Sequence, residues 1–173
     1  MRTSRMNNFE ELIDTHSKHL VRIAYLYVKD WQTAEDIVQD VFIKFFQTQQ
    51  QFRQEASIKT YLTKMTANKA KDYLRSWKYR KQVLFENVFG ETRGIDEDVV
   101  AREHLAELEK HLFQLPLKYR EPLILYYYNE QSIADIAQDL GLNENTVKTR
   151  LRRAKQQMKM FFEQEEAGQH DEF

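Results

Sequence analysis

The sequence predicts an all-α protein: two small helical domains joined by a flexible acidic linker, the second containing a helix-turn-helix. Three observations predict it. Apolar residues recur at helical spacing over nearly the whole chain, and strict alternation is almost absent. Two prolines and four glycines in 173 residues are too few for the turns of a sandwich or barrel. Charge, finally, is segregated along a chain whose net charge is only −1.

The segregation is one-sided. Residues 57–81 hold eight basic residues against Asp72 alone, whereas residues 86–109 hold eight acids against Arg93 and Arg102. Residues 143–159 then carry Lys148, Arg150, Arg152, Arg153, Lys155 and Lys159 with Glu144 the sole acid. Solvated helix faces mix signs to gain i,i+4 pairs, so blocks of one sign point to two anion-binding surfaces. Without cysteine the chain has no disulfide and no thiolate metal site, which suits a reducing compartment. The N-terminal stretch lacks a secretory apolar region, and no run approaches the roughly 20 apolar residues of a membrane span. A cytoplasmic protein without membrane insertion is expected.

In the first domain, residues 8–81, Phe9, Leu12, Ile13, Leu20, Ala24 and Tyr27 fit one stripe of a first helix. Thr33 is placed to cap a second, whose core stripe is Ala34, Ile37, Val38, Val41, Phe42, Phe45 and Phe46. Residues 47–57 break the pattern and read as a loop. Ser57 caps a third helix, expected to run to about Lys81, with Ile58, Leu62, Met65, Tyr73 and Trp77 as its core face. Residues 82–100 lose periodicity and form the linker. In the second domain, residues 101–162, the pattern resumes with Ala101, Leu105, Leu108 and Leu112 and ends at Pro116. LKYREPLILYYY is a further helix, which Pro122 kinks or shortens if interior. Residues 163–173 form an acidic tail with no need of fixed structure.

SIADIAQDLGL, residues 132–142, places Ile133, Ile136, Ala137 and Leu140 on one face and stops at Gly141. Asn143 caps the next helix, which buries Val147, Leu151, Ala154, Met158 and Phe161. Two amphipathic helices around a short glycine turn make a helix-turn-helix. Lys148, Thr149, Arg152 and Arg153 project from the N-terminal half of the second helix, the half that enters a major groove. Lys155 and Lys159 are expected at the DNA backbone or in solvent. A membrane-surface helix would leave the preceding helix without purpose.

On the third helix of the first domain, Tyr61, Lys64, Asn68, Lys71 and Arg75 fall on one stripe, preceded by Phe52 and Arg53. Aromatic, amide and cationic groups together suit unpaired bases: stacking, edge readout and phosphate contact.

FRQEASIKTYLTKMTANKAKDYLRSWKYRK resembles the promoter-melting segment of the extracytoplasmic-function group of sigma-70-type sigma factors. AEDIVQDVFIKFF, residues 34–46, is similar to their polymerase-binding helix, and SIADIAQDLGLNENTVKTRLRRAKQQMK to their C-terminal helix-turn-helix. The resemblance implies that Asp36, Gln39, Asp40 and Lys44 face core RNA polymerase. It implies that Phe52, Arg53, Tyr61, Lys64, Asn68, Lys71 and Arg75 meet the non-template strand of the −10 element, with Phe52 and Asn68 at a flipped base. Lys148, Thr149, Arg152 and Arg153 are then expected to read the −35 element as duplex. Promoter DNA, core polymerase and an anti-sigma factor are the implied partners, and no cofactor is implied. The chain departs from the family at Gln54 and Asn145, where glycine is usual, and at Tyr61, where tryptophan is usual.

No catalytic constellation is present, and no phosphate loop or nucleophile elbow. His16 with His19, and His104 with His111, share helix faces, but metal ligation requires further partners converging from elsewhere; no metal site is expected. The alternative to a sigma factor is a conventional helix-turn-helix regulator, which needs neither the Tyr61–Arg75 stripe nor the Asp36/Asp40 face.

Overall fold

A computed structural model describes residues 2–48, 57–76 and 99–170. Every element among them is a helix, and the chain divides into two compact units, Met1–Gly90 and Glu91–Phe173.

The first unit is three mutually packed helices: α1 (Arg2–Val28), α2 (Trp31–Thr48) and α3 (Ile58–Arg75). Leu20, Ala24 and Tyr27 of α1 are buried on the predicted stripe, with Ile23 beside them. Ala34, Ile37, Val38, Val41, Phe42 and Phe45 of α2 are buried as well. Each such large apolar side chain contributes roughly 1.5–3 kcal/mol when fully buried. Phe46, predicted as core, is instead 43% exposed, having drifted out of the stripe at the helix end.

The α1–α2 junction differs from its predicted form. Asp30 caps α2, its Oδ1 accepting from the Thr33 amide at 2.7 Å, so Thr33 sits in the first turn and is not the cap. Lys29 closes α1 at φ 64°, and Tyr25 stacks on Trp31 at 3.9 Å. The buried Arg22 guanidinium lies over both rings, which gives this cation a place in the core.

Ser57 caps α3 as expected, accepting from the Thr60 amide at 3.1 Å. Its buried face, however, is Leu62, Thr63, Thr66, Ala67 and Ala70. Ile58 is 37% exposed, and Met65 and Tyr73 are only half-buried. Small residues let α3 lie close to its neighbours, and the Thr66 hydroxyl is satisfied by donating to the Leu62 carbonyl at 2.9 Å. The helix ends at Arg75, with Ser76 extended at φ −66°, ψ 153°. The expected continuation to Lys81, including Trp77, and the linker up to residue 98 lie outside the described residues.

The second unit comprises α4 (Val99–Gln114), α5 (Leu117–Leu123), α6 (Ile133–Leu140) and α7 (Glu144–His170). Val99 and Val100, read as linker, begin α4. Leu108, expected inside, is 44% exposed, while Glu109, His111 and Leu115 are buried. Pro122 is interior and buried. It has no N–H for the carbonyl one turn back, and two residues on the helix widens into a π turn over Ile124–Tyr128. Buried Arg120 reaches the Leu115 carbonyl at 3.4 Å, tying α5 to the end of α4. At the C-terminus α7 runs through residues 163–170, where the sequence suggests a tail without fixed structure.

Candidate nucleic-acid interface

Ser132 caps α6 by accepting from the Asp135 amide at 3.1 Å. Gly141 ends it at φ 64°, ψ 38°, a left-handed conformation, and no atom lies within 4 Å of where a Cβ would stand. Glycine is required there by backbone conformation and not by space. Asn143 Oδ1 then accepts from the Thr146 amide at 2.8 Å and caps α7. Ile136, Ala137, Val147, Leu151 and Ala154 close a core with Leu115, Leu123 and Leu125. Both predicted caps and the predicted crossing of the two helices are present.

With that stripe inside, Lys148, Arg152 and Arg153 are exposed and Thr149 is half-buried. Lys148 makes only a loose 3.7 Å pair with Glu144. The Arg153 guanidinium beside the Tyr119 hydroxyl holds it below the usual phenol range, an effect to which Lys118 adds. These groups line an open groove of about 360 Å³ with Asn145, Thr146, Thr149 and Arg150. Lys118 and Tyr119 were not among the candidates; the KY pair at the start of α5 was the available signal. Arg150, left aside in sequence, faces the same groove. Lys155 lies over the Tyr127 ring at 5.1 Å, and Lys159 pairs with Glu163 at 3.5 Å.

On α3, Lys64, Asn68 and Arg75 are exposed, while Tyr61 and Lys71 are half-buried. The five share the face opposite Leu62, Thr66 and Ala70, so the predicted stripe exists as one surface. Tyr61 leans on Phe45 at 6.0 Å between ring centroids, which leaves only part of its ring for another partner. Phe52 and Arg53 lie outside the described residues.

On α2, Asp36, Gln39, Asp40 and Lys44 are all exposed. The face is more apolar than its sequence suggests, because Ile43 is 56% exposed beside Phe46. A groove of about 520 Å³ runs between α1 and α2 next to Gln39 and Ile43. Asp40 is also paired with Lys69 of α3 at 3.0 Å. No described helix is long and apolar enough to cross a membrane.

A three-helix unit followed by a helix-turn-helix unit defines the class of a modular DNA-binding protein. Family models agree and narrow it: residues 12–79 match sigma-70 region 2 and residues 105–158 match sigma-70 region 4. The chain is 31% identical over 150 residues to the RNA polymerase sigma factor SigV of Bacillus subtilis, covering 86% of this chain and 87% of that protein. It is 28% identical to the ECF sigma factor SigM of Mycobacterium tuberculosis, covering 85% of this chain and 73% of that one. Its fold is similar to that of the sigma factor RpoE from Bartonella quintana, solved with the anti-sigma factor NepR. The TM-score is 0.73 at 24% identity, covering 90% of this chain and 97% of that one. The chain belongs to the extracytoplasmic-function group of sigma-70 RNA polymerase sigma factors, and a conventional regulator is set aside.

Proposed function

We propose that this sigma factor engages core RNA polymerase through α2, using Asp36, Gln39, Asp40 and Lys44. Its α3 stripe of Tyr61, Lys64, Asn68, Lys71 and Arg75, with Phe52 and Arg53 from the preceding loop, takes the single-stranded −10 element. Its α7 reads the −35 duplex through Lys148, Thr149, Arg152 and Arg153. The domain limits follow: residues 8–81 for polymerase and −10 work, 82–100 as linker, 101–162 for the −35 element.

The observation that carries this reading is the exposure of the α3 stripe and the α2 face on opposite sides of their buried faces within one unit. A regulator that only binds duplex DNA needs neither. An anti-sigma factor is the expected restraint, as with the related RpoE, which was solved with NepR. The protein acts in the cytoplasm beside the polymerase, which performs the chemistry.

The test is transcription from fragmented bacterial DNA by core polymerase with and without the chain, mapping transcript 5′ ends. New starts sharing two motifs about one and a half to two and a half helical turns apart are expected. Absence of new starts, together with specific duplex binding by the chain alone, overturns the proposal.

A further inference from the structure

We propose that Glu107, His111 and Glu165 form a binding site for a divalent transition-metal ion of the zinc class, clasping α4 to the far end of α7. Glu107 and His111 are one helical turn apart and share a face of α4, while Glu165 arrives from α7. One donor atom from each lies within 4.8 Å of the other two. These are the converging partners that His111 lacks in the sequence.

The imidazole is the unusual member. His111 is 3% exposed, and neither Nδ1 nor Nε2 makes a hydrogen bond. Nε2 nonetheless stands 2.8 Å from Glu165 Oε2, a contact without the alignment of a shared proton. At this distance only a proton fits between them, but two donor atoms turned toward each other can move apart to be bridged by an ion. Tetrahedral donors at about 2.0–2.2 Å from zinc sit roughly 3.3–3.6 Å apart. The 2.8 Å His111–Glu165 pair must therefore open by about half an ångström to take the ion, while all three donors already lie within 4.8 Å of one another.

The surroundings fit. Lys110 binds Glu165 Oε1 at 2.6 Å, which fixes the carboxylate and leaves Oε2 turned to His111. Phe161 and Phe162 flank the ring at 5.8 and 4.4 Å, shielding the site from water on that side. One imidazole and two carboxylates, with no thiolate, select borderline ions such as zinc, nickel or cobalt over calcium or magnesium. At 1.5 Å per residue, Glu165 lies about 18 Å along α7 from Arg153, so the ion braces the helix and touches no base. The site is independent of the promoter assignments.

The full-length chain, free of any histidine tag, is titrated with cobalt(II) and with zinc(II). Expected are visible ligand-field bands saturating at one equivalent of cobalt, their loss on adding zinc, and a melting temperature raised by either ion. Glu107→Gln, at a half-buried position, is expected to remove the bands and the shift while keeping the metal-free melting temperature. His111→Leu is expected to remove them too; if it does not fold, Glu107→Gln carries the test. Absence of bands and of any shift in excess metal overturns the site, as do bands that survive in a Glu107→Gln/Glu165→Gln double variant. Stability that follows pH but not metal also overturns it, placing a proton between His111 and Glu165.

Discussion

Asp40 and Lys69 stand 3.0 Å apart, joining the face of α2 proposed for polymerase to the helix proposed for the −10 strand. Both side chains are about half exposed, at 57% and 47%, so the pair contributes roughly 0–1 kcal/mol to folding. Asp40→Arg is therefore expected to abolish co-purification with core polymerase while the melting temperature barely moves. Lys69→Ala breaks the same pair and leaves Asp40 free, so it should retain association. Normal co-purification of Asp40→Arg sinks the α2 assignment.

Asn68 is exposed on α3 between Lys64 and Lys71 and no part of the buried face depends on it. Asn68→Ala is expected to lower open-complex formation, read by permanganate reactivity of unpaired thymines, with polymerase binding unchanged. A loss of polymerase binding instead would place this surface against protein.

Where local chemistry decides the structure, the sequence was legible. Ser57, Gly141 and Asn143 are end signals of single helices, and each sits where it was expected. The Ile136, Val147, Leu151 and Ala154 stripes follow from periodicity alone. The α3 face was misread because close helix approach selected Thr63, Thr66, Ala67 and Ala70 over larger apolar neighbours. Buried Glu109 and His111 were illegible for a different reason. Periodicity assigns polar residues to solvent, and the partners of His111 include a residue more than fifty positions away. The apolar exposure of Ile43 and Phe46 likewise depends on where α1 stops covering α2.

Arg153 of α7 interacts with the Tyr119 hydroxyl of α5, which brings a proposed base-reading side chain against a neighbouring helix. Arg153→Ala is expected to weaken −35 duplex binding by about 1–3 kcal/mol at matched salt, a loss concentrated on specific sequence. Tyr119→Phe removes only the hydroxyl and should give a smaller loss of the same kind with unchanged melting. A uniform loss across all duplexes would make Arg153 a phosphate contact.

Gly141 tests the turn separately from the DNA. With open space around its Cα, Gly141→Ala adds only left-handed strain, about 1–2 kcal/mol of stability. Gly141→Asn should cost less, because asparagine tolerates this conformation. Equal losses in chemical denaturation for the two variants would mean that space, and not conformation, selects glycine.

His16 supplies a pH test of the first unit. Burial, and then the nearby Lys59 cation, push its pKa below the ordinary 6.5. The fold thus favours the neutral ring, and protonation favours the unfolded chain. This contribution is fully present above the unfolded value of 6.5 and is lost as pH falls through the lowered folded value. Wild-type protein should lose more melting temperature between about pH 7 and pH 5 than His16→Gln does. Lys59→Ala should move the His16 titration, followed by its imidazole proton resonance, back toward 6.5 without reaching it, because burial is the larger cause. A resonance that titrates at or above 6.5 in the wild type would contradict both the burial and the charge assigned to this helix pair.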